Sequence, residues 1–451
     1  MADTKTNEAK ISIKVIVDKV NSRVVYAEAD YTFVDILFSF MTLPLGTIVR
    51  LLGKLDDKKF EALGSLNNLY QSLKDFPDCY LSSEECKPML LNPRSLSYDH
   101  CRNLQLQIDD TEPMKYFNCS KLCWLGFDKL FSICDEAMCR NCDRLMNQCM
   151  SVMDCSNVVV GGGVFVSDLA TFIVSGDLRV MPNTSANIIG SITERGVIDA
   201  SQLEEAKFDL YLYKMLTFLK MALLNYCPFT YLIFHRIRPF RTAKQCDLIQ
   251  KEVSTTSKMH LEVSLQKSTG KVLFAEAEED FVDFLFGILS IPLGTVVGTL
   301  MNGTSSISCL DNIFKSISNM SVGRYLKSQE VKDMLLKPHF GQPFSSKNQV
   351  FPLKSTVISL PTHFKSYEFK DPMIEQQLVK QSGMFMVTDD LIITPLSSYS
   401  TINILKKLKV RLDDIERHEI TIGLEEGLRI LNTSLRSKST LTHLIEHQLK
   451  K

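Results

Sequence analysis

Ile11, Ile13, Val15 and Val17 alternate with Ser12, Lys14 and Asp18, and after a polar turn at Asn21-Ser22 the run Val24-Val25-Tyr26-Ala27 resumes. A period of two on both sides of a short turn predicts a β-hairpin. From Phe33 to Met41 the apolar residues wrap most of a helical circumference, leaving Asp35, Ser39 and Thr42 on one narrow stripe, and Pro44 ends or kinks the helix. Much later, Phe385-Met386-Val387 reads as a strand, Asp389-Asp390 as a turn, and Leu391-Ile392-Ile393 as a strand that stops at Pro395. Leu424, Leu428, Leu431 and Leu435 then recur at helical spacing and predict a C-terminal helix with one apolar face. Strands and helices mix without regular βαβ alternation, so the expected class is α+β. The order hairpin, helix, later strands also resembles that of a ubiquitin-like β-grasp.

These patterns occur twice. The segment Ile11 to Leu52 returns without a gap as Met259 to Leu300. Ala27-Glu28-Ala29, Phe33-Val34-Asp35 and Phe38 reappear as Ala275-Glu276-Ala277, Phe281-Val282-Asp283 and Phe286, and Pro44-Leu45-Gly46-Thr47 as Pro292-Leu293-Gly294-Thr295. The later strands pair likewise, Phe172, Val174, Asp177, Leu178 and Pro182 with Phe385, Val387, Asp390, Leu391 and Pro395. Self-similarity of this extent predicts a tandem duplication of one mixed domain. The expected boundaries are a flexible tail over 1–10, a first repeat over 11–240 carrying a cysteine-rich insert at about 101–155, a linker over 241–258, and a second repeat over 259–451. Each repeat is long enough for a core of its own.

Composition changes this picture little. A hydrophobic share of 45%, a charged share of 23% and a net charge of −1 are those of an ordinary globular protein and give no reason to expect a polyanionic partner. The first ten residues lack the apolar core of a secretory signal, so an intracellular, cytoplasmic setting is expected, with no disulfide framework. The apolar run Phe281 to Met301 approaches the length of a membrane span, but Asp283 near its start and the Pro-Leu-Gly-Thr interruption favour a buried helix over membrane contact. The basic run His235-Arg236-Ile237-Arg238 falls where the first repeat gives way to the second, and is expected as a solvated linker rather than a nucleic-acid contact.

With the hairpin, the Phe-Val-Asp helix and Pro-Leu-Gly-Thr in hand, the chain resembles the plant family known as domain of unknown function 674. The segments that carry the resemblance are Val272-Leu273-Phe274-Ala275-Glu276-Ala277, Phe281 to Phe286, Pro292 to Thr295, Gly64-Ser65-Leu66-Asn67-Asn68-Leu69-Tyr70, and Asp389-Asp390-Leu391 leading to Pro395. The resemblance implies plant origin and a repeated domain. It brings no reaction and no catalytic residues.

Ten of the thirteen cysteines lie between Cys79 and Cys155, in the first repeat alone. Cys119-x3-Cys123 is followed by Cys139-x2-Cys142, which approximates the paired knuckles of a four-thiolate structural zinc site. Two cysteines on one tight turn can aim both sulfurs at a tetrahedral ion, and a second pair completes the shell. The fit is imperfect: family members often have glycine after the second knuckle cysteine, where this chain has Asp143. Cys134, Cys149 and Cys155 are spare sulfurs that could replace a ligand, and unliganded thiols or redox chemistry remain the alternatives to zinc.

No catalytic residue is assigned. His443-Leu444-Ile445-Glu446-His447 spells a zinc-peptidase arrangement without a third ligand, and Gly161-Gly162-Gly163 lacks the lysine of a phosphate loop. The expectation is a non-catalytic interaction or scaffold protein whose insert, zinc-ribbon-like, meets a protein partner. The alternatives are a small-molecule binder or enzyme with a pocket between the repeats, and a protein held at a membrane surface.

Overall fold

The computed structural model describes residues 9–55, 63–82, 86–113, 115–119, 129–133, 135, 137–139, 141–150, 162–237, 258–338, 350–353, 367–369, 378–380 and 383–448. Residues 1–8 of the expected tail, Cys123, and all of the expected linker except Lys258 lie outside them.

The strands are β1 (Lys10–Asp18), β2 (Arg23–Ala29), β3 (Phe117–Asn118), β4 (Lys129–Phe131), β5 (Gln148–Cys149), β6 (Phe172–Ser175), β7 (Val180–Pro182) and β8 (Leu203–Tyr211) in the first half. The second half has β9 (Met259–Gln266), β10 (Lys271–Ala277), β11 (Tyr367–Phe369), β12 (Phe385–Thr388), β13 (Ile393–Pro395) and β14 (Ile415–Ile422). Two five-stranded sheets result, ordered β7-β6-β2-β1-β8 and β13-β12-β10-β9-β14. Position by position the two orders agree. The expected hairpins are β1–β2 and β9–β10, each with one irregularity in its register. The fold is therefore mixed α+β, but the likeness to a β-grasp does not extend to topology. Every pair in the two sheets is antiparallel, and β8 and β14 come back beside β1 and β9 as antiparallel edge strands.

The expected helix forms as Tyr31–Ser39 in the first half and Glu279–Ile288 in the second. Asp30 starts the former by accepting from the backbone N–H groups of Thr32 and Phe33. Both helices lie in one continuous apolar core, where Phe38 and Phe286 are each fully buried. The long apolar stretch after Phe281 is not a single helix. It breaks at Pro292 and resumes as the π-wound turn Thr295–Leu300. Among the described residues, no helix is long and apolar enough to cross a membrane.

The two halves exchange helices. Helix Leu66–Asp75 of the first half lies on β13: the Asn68 side-chain amide donates to the Asp390 carbonyl at 3.0 Å, and the Ile393 N–H donates to Ser72 Oγ at 3.0 Å. Helix Ser308–Asn319 of the second half lies on β7: Asn312 donates to the Asp177 carbonyl at 2.8 Å, and the Val180 N–H to Ser316 Oγ at 2.9 Å. Aromatic rings follow the same route, with Phe76 packing at 5.2 Å from Phe286 and 5.5 Å from Phe385.

At the centre of the exchange the repeated Pro-Leu-Gly-Thr segments meet each other. Pro44 bridges Pro292 in antiparallel fashion, the Leu45 N–H donates to the Ile291 carbonyl at 3.0 Å, and the Leu293 N–H donates to the Leu43 carbonyl at 2.9 Å. Close contact favours glycine there, most strongly at Gly294. A Cβ on Gly46 would lie 3.1 Å from the Leu289 carbonyl oxygen, and one on Gly294 would lie 2.7 Å from that of Leu335. Thr47 and Thr295 close the segment by donating to the Pro93 and Pro338 carbonyls, each at 2.7 Å.

Candidate metal centre

The insert is held at both ends by backbone pairing. β3 pairs with β5, Phe117 bridges Ser132, and β4 runs parallel to β11 of the second half. This framework places Cys119, directly after β3, opposite a tight turn that carries Cys139 and Cys142. Within the turn the Cys139 carbonyl accepts from the N–H of Cys142 at 3.3 Å and of Asp143 at 2.8 Å, and the Cys139 N–H donates to the Arg144 carbonyl at 2.9 Å. Asp143 takes a left-handed conformation, φ 50°, so the aspartate occupies the backbone state for which glycine is favoured. The turn predicted from Cys-x2-Cys thus forms, with a residue that bears some strain.

The sulfurs of Cys119, Cys139 and Cys142 all lie within 4.8 Å of one another. Four thiolates around a tetrahedral ion at about 2.3 Å stand about 3.8 Å apart, so the spacing suits a metal site with modest contraction. Cys119 and Cys139 are buried and Cys142 is half-buried, in a small apolar cluster with Leu130, Ala137 and Met146 that is separate from the main core. Three of the four expected ligands therefore come together as a group that could hold a metal ion. The fourth, Cys123, lies outside the described residues. Cys149, a spare sulfur in the sequence, is exposed on β5.

One feature of the turn was not legible in the sequence. Met138 and Leu145 bridge each other across its stem, yet about half of each side chain is exposed. Periodicity could not announce them, because a two-residue stem has no period.

The other candidate residues have structural partners. Asp35 and Asp283 are each the fifth residue of their helix, and both are buried. Asp35 accepts from the backbone N–H groups of Val164, Phe165 and Val166, the last two at 2.9 Å each, and Asp283 accepts from Leu378 at 2.7 Å. Those segments receive the other half: Val166 bridges Leu326, and Leu81 bridges Val379. Burial pushes the Asp35 carboxyl up to about 6, against the opposing pull of its three backbone donors. In the zinc-peptidase-like sequence, His443 faces Glu446 at 3.8 Å and His447 faces Glu425 at 3.9 Å. Gly163 donates its N–H to Asp168 at 2.7 Å, whereas Gly161 lies outside the described residues, as does the basic run beyond Ile237.

The fold of two like-ordered sheets and the cysteine cluster define a class without an assigned reaction. The chain belongs to the family described as Protein of unknown function (DUF674), which matches residues 7–425. No curated protein and no solved structure matches the chain.

Proposed function

We propose that this protein is a non-catalytic interaction module: a tandem duplication whose exchanged helices make a stiff platform, with a structural zinc in the first-half insert that shapes a surface for a protein partner. The observation that carries this reading is the convergence of Cys119, Cys139 and Cys142 within 4.8 Å in a cluster of their own. Cys123 is the proposed fourth ligand. A shell of four cysteines leaves no open position for substrate, so the ion would act on folding rather than on chemistry. Structural zinc contributes on the order of 10–16 kcal/mol in small peptides, enough to order an insert with little core of its own. Met138 and Leu145, exposed side by side beside the proposed ion, supply the apolar contact that a partner would cover.

The test is metal content and partner recovery on the same protein. Anaerobically purified chain is expected to carry one zinc per molecule, and Cys139→Ser to lose it. Met138→Ser with Leu145→Ser is expected to keep the zinc and lose the partners that co-purify from the native source. Metal-free native protein would overturn the zinc site, and partners retained by both variants would overturn the surface.

A further inference from the structure

The outer face of each sheet is covered by a helix, Ser185–Glu194 over the first and Ser398–Leu408 over the second. Counted from their N-caps, Thr184 and Ser397, the two helices align without a gap and end in matching left-handed residues, Gly196 and Lys409. Both cover apolar side chains, Tyr26 and Ile173 in the first half and Phe274 and Met386 in the second, but the groups beside their C-terminal ends differ. In the first half Arg179 pairs with Glu194 and reaches Asp177 at 3.3 Å, Arg195 reaches Asp177 at 3.5 Å, and Arg23 pairs with Asp18 at 2.9 Å and also donates to the Arg195 carbonyl. In the second half the counterparts of Arg179 and Arg195 are Ile392 and Leu408, and the counterparts of Asp18 and Glu194 are Gln266 and Lys407. The ion-pair network is gone.

A cavity of about 670 Å³ opens in its place. Its walls are largely apolar, with Leu273, Met386, Ile392, Ile404 and Val410, and carry polar groups at Thr388, Thr394 and Ser400. Lys271, Lys407 and Lys438 stand around it, and no ion pair is formed by any of the three among the described residues. Its two carboxylates are committed elsewhere. Asp389 accepts from the N–H and hydroxyl of Thr442, and Asp390 accepts from Thr388 and Asn68. The volume falls in the range of small-molecule sites, which combine apolar walls with a few polar groups that fix orientation.

We propose that this cavity binds a small organic anion with an apolar body, the body under helix Ser398–Leu408 and the acidic group toward Lys271, Lys407 and Lys438. The site lies within the second half, not between the halves, and owes nothing to the cysteine insert or its metal. The change replaces two acids, Asp18 and Glu194, by Gln266 and Lys407 and two arginines by aliphatic side chains, while Asp390 keeps the place of Asp177 and is held by Thr388 and Asn68, so lysines without an ion-pair partner among the described residues face the cavity.

The probes are 8-anilinonaphthalene-1-sulfonate and its uncharged analogue N-phenyl-1-naphthylamine, titrated by fluorescence into the intact chain. One site is expected, with the sulfonate bound more tightly than the amine. Replacing Lys271, Lys407 and Lys438 together with Ala should weaken the sulfonate about tenfold, as three exposed charges of modest strength would, and leave the amine unchanged. Asn403→Trp should exclude both probes by filling the cavity, whereas Trp at its first-half counterpart Gly190, where an added Cβ meets nothing within 4 Å, should change neither. Equal binding of the two probes with no effect of the lysines would overturn the anion site. Undiminished binding to Asn403→Trp, with wild-type circular dichroism, would overturn the cavity as its location.

Discussion

Where the two halves meet they are nearly interchangeable, and where they face outward they are not. Inside, Asn68 and Asn312, Ser72 and Ser316, Thr47 and Thr295, and Asp35 and Asp283 make matching hydrogen bonds on matching carbonyls and amides. Outside, one half carries the cysteine insert and a closed ionic face, the other an open apolar cavity rimmed by lysines. The difference separates two kinds of constraint. A polar group that satisfies a buried partner cannot change without leaving that partner unpaired, whereas a group beneath a surface helix can change if its neighbours change with it.

The largest test of the inner likeness is at the central glycines, where the match is close but incomplete. The Cβ of Gly294→Ala would be forced to within 2.7 Å of a backbone oxygen, and that of Gly46→Ala to 3.1 Å. Gly294→Ala is expected to cost about 3–4 kcal/mol and Gly46→Ala about 1–2 kcal/mol in urea unfolding, since backbone cannot yield as a side chain can. Equal costs would mean that the two segments relax alike.

Asp35 gives the next effect. Its folded carboxyl titrates at about 6, above the ordinary 3.8, so the folded chain holds the proton more tightly than the unfolded chain. Stability from this group is therefore fully present below about pH 4 and is lost as pH rises through 6. Relative to Asp35→Asn, the wild type should lose up to about 3 kcal/mol between pH 3 and pH 7, measured as the difference of two unfolding curves at each pH. A flat difference would show that the carboxyl is already ionised throughout.

The smallest effect examines the exchange itself. Ser72→Ala and Ser316→Ala each strip the partner from one buried N–H of the opposite half, and each is expected to cost about 1–2 kcal/mol. The costs should be similar and additive in the double variant. A marked inequality in thermal or urea unfolding would break the equivalence of the two contacts.

Local elements were readable because local patterns cause them. The alternation from Ile11 to Val17 makes β1, and the Leu428, Leu431 and Leu435 stripe buries one face of helix Leu424–Ser434. The edge strand β8 hid behind its charges. Glu204, Glu205 and Asp209 answer Lys19, Lys14 and Lys10 across the ladder, and such a strand shows no apolar alternation to detect. Leu178 and Leu391 sit in left-handed turns, φ 65° and 61°, with fully buried side chains; leucine signals no turn, so only packing explains them. The helix exchange was beyond reach for a related reason. The apolar stripe of Leu66–Asp75 states that a face must be covered, but two nearly identical sheets were on offer and the stripe cannot name which. At the candidate metal site, residue type and spacing identified Cys119, Cys139 and Cys142, while the adjacent exposed pair Met138 and Leu145 emerged only from the bridge between them.

Because each sheet borrows a helix from the far side of the chain, order of synthesis matters. The first sheet acquires its last strand at Leu203–Tyr211 but not the helix that lies on β7 until Ser308–Asn319 has left the ribosome, about a hundred residues later. During that interval an apolar surface stands uncovered, and a nascent chain so exposed is a natural client for chaperones. Under the duplication proposed above, a single copy would complete itself by trading helices with a twin, and joining the twins end to end would turn a concentration-dependent pairing into an intramolecular one.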